Sequence, residues 1–187
     1  MTIDAVYTAP IAASGRARAG ALREASLEER LHYLDVDARI LTRRVVRPGV
    51  AIGHLVTAPS GVWVIASRRY AGRPTTPQGG LLSRRTQTLQ LGSRTATRLV
   101  ASVALQAEVV RAELDASIPV SAMLCILDAD WPIFGGAFTV DGVQVVWPKR
   151  ACDVIETGHR LGTGQINDVH QQLSEAFPAA PTRHTIR

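Results

Sequence analysis

Two apolar, β-branched stretches separated by a short turn constrain the fold of this chain more than any other feature. The first stretch covers residues 50–57 and the second residues 62–68, and both are rich in β-branched or aromatic side chains. Between them, Pro59 pre-sets its own φ angle and Gly61 tolerates a positive φ, as a tight turn requires. The pattern therefore predicts a β-hairpin whose alternate side chains lie on opposite faces.

Periodic apolar positions predict helices and further strands on both sides of this hairpin. In chain order, the remaining elements are expected to be a helix over 17–34, a strand over 38–46, a helix over 95–115, a strand over 120–127, a hairpin over 138–147, and helices over 149–156 and 165–177. The run 120–127 is almost continuously apolar, which is typical of a strand buried on both faces. Together these elements predict an α/β fold with a central mixed sheet and helices on its faces.

The helix over 95–115 is predicted to bury one stripe of side chains. The members of this stripe are Leu99, Val103, Gln106, Val110 and Leu114. Gln106 is its one polar member, and the simplest interpretation is a glutamine at the edge of the core that hydrogen-bonds to the backbone.

A chain of 187 residues is expected to form one domain with a sizeable core. Residues 1–15 are small and without period, so we expect a flexible N-terminal tail there. The domain itself is predicted to span residues 16–178, because Pro178 ends the last helical pattern. Residues 179–187 are expected to form a flexible C-terminal tail.

The composition is that of an ordinary globular protein, with 46% hydrophobic and 20% charged residues. No apolar run reaches the roughly 18 residues of a membrane span, and the first residues lack the basic start of a secretory signal. Cys125 and Cys152 are expected to be free thiols rather than a disulfide or a metal site. These features predict a cytoplasmic protein that does not contact a membrane.

The basic charge is almost entirely arginine. The net charge is +5 and the sequence pI about 10, and Lys149 is the only lysine. A basic surface permits binding to phosphate backbones or acidic partners. Charge alone, however, favours the simpler interpretation of a well-solvated surface.

Several blocks of the sequence carry a resemblance to a known family. These blocks are His54–Val56, Pro59–Ile65, Arg69–Gly72, Asp128–Trp131, Val140–Val143 and Trp147–Pro148, with Gln106 between them. In this order and spacing, the chain from about Gly15 to Pro178 resembles the bacterial nuclease-related domain, NERD, of the PD-(D/E)xK superfamily. The resemblance implies a restriction-endonuclease-like central mixed β-sheet flanked by helices.

In active members, the resemblance implies four positions that carry the chemistry: a helical glutamate, an aspartate, a second acid and a lysine. Carboxylates suit Mg²⁺, and a nearby positive charge offsets the charge developing on the phosphate. Here the four positions hold Ala21, Gly53, Ala66 and Arg68. Glycine and alanine offer no ligand, and arginine does not replace lysine in every role. The retained family positions are His54 and Gln106, and a lone histidine on a strand is more often a packed residue than a site remnant.

Acidic residues elsewhere leave a relocated metal site as an alternative. Glu24 on the first helix, with Asp128 and Asp130 at a strand end, are the candidate ligands. Active members carry the same Asp-Ala-Asp-Trp block, so the resemblance implies that this block is structural. We therefore expect no cofactor, and Mg²⁺ only if a residual nuclease activity persists.

Three functions remain open from the sequence. The leading hypothesis is a catalytically inactive pseudo-nuclease that binds nucleic acid, most simply DNA. Its candidate phosphate-binding residues are Arg68, Arg69, Arg73, Arg84 and Arg85. The alternatives are a protein-interaction or scaffold module with a protein partner, and a metal-dependent DNA nuclease with relocated ligands.

Overall fold

The computed structural model describes residues 27–76, 88–131 and 136–181. The strands in these ranges are β1 (Arg39–Arg47), β2 (Val50–Ala58), β3 (Gly61–Gly72), β4 (Pro74–Thr75), β5 (Gln90–Leu91), β6 (Arg94–Thr95), β7 (Val120–Ala129), β8 (Phe138–Val140) and β9 (Val143–Val146). The helices are α1 (27–32), α2 (Thr97–Ala112), α3 (Pro148–Ile155) and α4 (Thr163–Ala176).

A six-stranded mixed sheet organises the described chain, with the strand order β1-β2-β3-β7-β9-β8. Strands β1, β2 and β3 are antiparallel neighbours, which confirms the predicted hairpin. Strand β7 then pairs parallel to β3, and β9 parallel to β7. The prediction of an α/β protein with a mixed sheet flanked by helices is confirmed.

The two faces of the sheet carry separate apolar cores. Helices α2 and α4 cover one face and contribute Val103 and Leu173 to its core. Helices α1 and α3 cover the other face and contribute Leu31 and Ile155. Strand β7 supplies side chains alternately to both cores, which confirms the prediction of a central strand buried on both sides.

Helix α2 is shorter than predicted and rotated about its axis. Thr95 belongs to β6, where it pairs with Gln90, so the helix begins two residues later than expected. The buried positions are Val100, Val103, Ala107 and Val110. Of the predicted stripe, Leu99, Gln106 and Leu114 are only partly buried. Because apolar residues surround most of this helix, its periodicity did not decide which stripe faces the sheet.

The last helix confirms its predicted stripe and leads the chain back to the sheet edge. Ile166, Val169, Leu173 and Phe177 are all buried. Beyond them, the Val45 amide donates to the Pro178 carbonyl at 2.9 Å, and the Ala180 amide donates to the Arg43 carbonyl at 2.7 Å. Residues 178–180 therefore cover part of the outer edge of β1, including the start of the segment predicted as a flexible tail.

Candidate nucleic-acid interface

The pairing between the hairpin strands β2 and β3 ends next to the two positions that the resemblance assigns to acids. Their pairing runs from Ala58 opposite Gly61 to His54 opposite Ile65 and goes no further. Gly53 lies just beyond this point, where a Cβ atom would stand 3.0 Å from the Ile65 carbonyl oxygen and 3.9 Å from the Ala66 Cα. Residues 53 and 66 are thus adjacent, and neither carries a side chain that can bind a metal.

His54, the retained histidine, occupies an ordinary position inside the sheet. It is half-buried on β2, between its partners Thr42 on β1 and Ile65 on β3. Gln106 on α2 is partly buried, and its buried Oε1 atom has no hydrogen-bond partner among the described residues. A hydrogen bond between this side chain and the backbone, as predicted, is therefore not made through Oε1.

Downstream of Ala66, β3 brings an arginine and an aspartate together. The Arg69 Nη1 atom lies 3.9 Å from the Asp128 Oδ2 atom, with side chains 26% and 17% exposed. Asp128 adopts a φ of +68°. It lies at a bulge in the β3–β7 pairing, where the three steps from Arg69 to Gly72 on β3 are opposite the two steps from Leu127 to Ala129 on β7. The charge of Asp128 is therefore partly offset by a guanidinium.

The arginines at this end of β3 border a cavity of about 410 Å³. Its described lining consists of Arg68, Arg69, Tyr70, Leu91, Gly92, Ser93, Arg94 and Ala96. Arg68 and Arg94 are exposed, and no carboxylate is among these lining residues. The cavity therefore presents a surplus of positive charge, which suits an anion.

Glycines on either side of Tyr70 explain how Arg94 reaches β3. A Cβ at Gly72 would stand 2.8 Å from the Tyr70 hydroxyl oxygen, and one at Gly92 would stand 3.0 Å from it. The Tyr70 phenol therefore fits between the backbone at Gly72 and the backbone at Gly92, where a side chain would collide with it. In this position it packs β3 against the β5–β6 turn. Arg94 was not among the predicted residues, because only this packing brings it beside Arg68.

The other predicted site residues do not join this cavity. Arg73 is exposed just after β3 but does not line the cavity. Asp130 is also exposed, and its amide donates to the Gly72 carbonyl at 2.9 Å. Ala21, Glu24, Arg84 and Arg85 lie outside the described residues.

Metal ligands do not converge in the part of the chain that the structure describes. Within 27–76, 88–131 and 136–181, the His, Cys, Asp and Glu side chains form no group of three that could hold a metal ion. Cys125 and Cys152 are free thiols, as predicted. Burial raises the pKa of both thiols, and Glu156 contributes to the rise at Cys152.

His170 on α4 has a lowered pKa. Burial lowers the pKa of His170, and the positive charges of Arg39 and Arg44 lower it further. The His170 Nδ1 atom is buried without a hydrogen-bond partner among the described residues. The neutral ring is therefore the form that the folded protein favours.

Comparisons of the chain with protein-family models, with curated proteins and with solved structures found no match. Among the described helices, none is both long enough and apolar enough to cross a membrane.

Proposed function

We propose that this chain is a NERD-like, catalytically inactive nuclease domain of the bacterial cytoplasm that binds DNA through arginines near the end of β3. The observation that carries the proposal is the cavity bordered by Arg68, Arg69 and Arg94, with no carboxylate among its described lining. Guanidinium groups bind phosphate oxygens bidentately and stay protonated throughout the physiological pH range. The mixed sheet with helices on both faces agrees with the restriction-endonuclease-like architecture that the resemblance implies.

The arginines are not expected to contribute equally. Asp128 lies 3.9 Å from Arg69 and offsets part of its charge, whereas Arg68 and Arg94 are exposed and form no ion pair among the described residues. We therefore assign the main phosphate contacts to Arg68 and Arg94, and the exposed Arg73 remains a predicted contact. The predicted contacts of Arg84 and Arg85 remain part of the proposal.

The empty acid positions support the absence of catalysis. Gly53 and Ala66 are neighbours at the point where β2 and β3 part, and neither supplies an oxygen ligand. Asp128, one of the predicted substitute ligands, is close to Arg69, so its charge is already partly compensated. We propose that DNA binding requires no divalent metal.

The test is the affinity for a short DNA duplex, measured by fluorescence anisotropy over a series of salt concentrations. Each phosphate contact contributes about 0.9 to the slope of log K against log salt. Arg68→Ala and Arg94→Ala should each weaken binding and lower the slope by about 1, and Arg69→Ala should do less. Arg47→Ala removes the same charge from an exposed position on β1 and serves as the matched control.

Two outcomes would refute the DNA-binding proposal. One is the absence of binding at low salt. The other is binding that Arg68→Ala and Arg94→Ala change no more than Arg47→Ala does. A protein-interaction module predicts one or the other of these outcomes, together with co-purification of a protein partner.

A plasmid-cleavage assay with excess Mg²⁺ or Mn²⁺ tests the inactive state. We expect no cleavage by the wild-type protein. Metal-dependent cleavage that Glu24→Ala or Asp128→Ala abolishes would instead establish a nuclease with relocated ligands.

A further inference from the structure

A second cavity lies at the other end of β3, on the sheet face that α3 covers. Its volume is about 580 Å³, within the range of small-molecule sites. Its described lining consists of Ser60, Trp63, Pro119, Ser121, Gln144, Arg150, Val154, Thr157 and Arg160. Along β3, Trp63 and Arg69 are about 20 Å apart, so this cavity is separate from the arginine cavity at the end of the strand.

The floor of the second cavity is a polar row on an otherwise apolar sheet face. Trp63 on β3 is directly opposite Ser121 on β7, and Gln144 on β9 is opposite Met123, two residues further along β7. The same face carries the buried Ile65, Met123 and Cys125. Neither the Ser121 hydroxyl nor the Gln144 amide hydrogen-bonds to another described side chain or backbone group, so both are available to a ligand.

One wall of the cavity is the face of α3 that carries no acid. Arg150 and Val154 on α3, and Thr157 two residues after its end, recur at helical spacing and line the cavity together. The acids of this helix are engaged elsewhere. Asp153 pairs with Lys149 at 3.0 Å, and Glu156 accepts a hydrogen bond from the Asp35 amide at 2.9 Å.

Hydrogen bonds attach the β2–β3 turn, which also lines the cavity, to α3 and to the segment that follows it. The Ser60 hydroxyl donates to the Ile155 carbonyl at 2.6 Å and accepts from the Trp63 indole nitrogen at 2.9 Å. The Arg160 amide donates to the Pro59 carbonyl at 2.6 Å. The last of these contacts fixes the backbone of Arg160 beside the turn, and the side chains of Arg160 and Arg150 line the same cavity.

We propose that this cavity binds a small organic oxyanion, a phosphate monoester or a carboxylate. Two guanidinium groups without a carboxylate partner among the described residues supply charge, and Ser121 and Gln144 supply hydrogen bonds to anionic oxygens. The indole of Trp63, together with Pro119 and Val154, offers apolar surface to the organic part of the ligand. The site is independent of the proposed DNA interface.

The test is a titration of the 187-residue chain in low-salt, phosphate-free buffer, followed by calorimetry and by the NMR signal of the Trp63 indole N–H. The probes are inorganic phosphate, citrate, adenosine 5′-monophosphate and uncharged adenosine. We expect at least one of the three anions to bind saturably and to shift the Trp63 signal, whereas adenosine does neither. Arg150→Ala and Arg160→Ala should each weaken that binding about tenfold, and the matched control Arg47→Ala should leave it unchanged.

The variants remove exposed side chains, so the fold is expected to survive, and a thermal unfolding curve verifies this for each variant. The proposal is overturned if none of the three anions binds saturably. It is equally overturned if adenosine binds as tightly as its monophosphate, or if both arginine variants bind the anions as the wild type does.

Discussion

The turn between β2 and β3 provides the sharpest test of the fold, through the substitution Gly61→Ala. Gly61 has a φ of +130°, and an added Cβ would stand 2.6 Å from the backbone carbonyl oxygen of Pro119. That oxygen also accepts the hydrogen bond of the Val62 amide at 2.8 Å, at the start of the β3–β7 pairing. The new methyl group can be accommodated only if these two strands separate locally.

Each consequence of Gly61→Ala has an approximate magnitude. Backbone strain at such a φ costs a side-chain-bearing residue roughly 1 to 3 kcal/mol. Loss of the hydrogen bond from Val62 to Pro119 adds about 1 kcal/mol. We therefore expect the free energy of unfolding to fall by about 2 to 4 kcal/mol, which corresponds to about 5 to 15 °C in the midpoint of thermal unfolding for a chain of this size.

Urea unfolding followed by far-ultraviolet circular dichroism measures this loss. The matched control is Gly142→Ala in the β8–β9 turn, because Gly142 also has a positive φ, of +78°, but has no atom within 4 Å of the added Cβ. It should lose only the conformational strain, about 1 to 2 kcal/mol. If Gly61→Ala is no less stable than Gly142→Ala, the close contact with Pro119 does not constrain the turn and the reasoning is wrong.

Two further substitutions test single interactions. Ser60→Ala leaves the Trp63 indole nitrogen and the Ile155 carbonyl without their bridging hydroxyl, and it should lower the free energy of unfolding by about 1 to 3 kcal/mol. The control is Ser102→Ala, at an exposed position on α2. Equal losses of stability in the two variants would refute the role of the bridge. The lowered pKa of His170 means that the unfolded chain takes up a proton more readily than the folded one, so stability should fall as the pH drops below about 6.5, the ordinary pKa of histidine. His170→Gln should reduce this acid-side loss in a series of unfolding curves at different pH, and an unchanged pH dependence would contradict the assignment.

Much of the fold follows from local patterns in the sequence. The β2–β3 hairpin, the doubly buried β7, the β8–β9 hairpin and the stripe of α4 were all predicted, because each has a continuous apolar run, a clear period or a turn with Gly in the required place. The rotation of α2 was not predicted. Its apolar residues extend around most of the helix, so only contact with the sheet selected the stripe containing Val100 and Ala107.

The sites depend far more on tertiary structure. Arg68 and Arg69 were predicted from the resemblance, but Arg94 joins them only because Tyr70 packs between two glycine backbones. The second cavity, at the other end of β3, had no signal in the sequence. Its floor comes from three strands that are neighbours in the sheet but distant in the chain.

By itself, the sequence determined the hairpin and the lack of a side-chain ligand at Gly53 and Ala66, because strand alternation, turn residues and residue type are local properties. Only the tertiary structure decided which arginines share a cavity. Arg68 and Arg94 meet at one end of β3, and Arg150 and Arg160 border a second cavity at its other end. Charge convergence depends on distances through space, which are set by strand order and by the packing of helices and turns on the sheet.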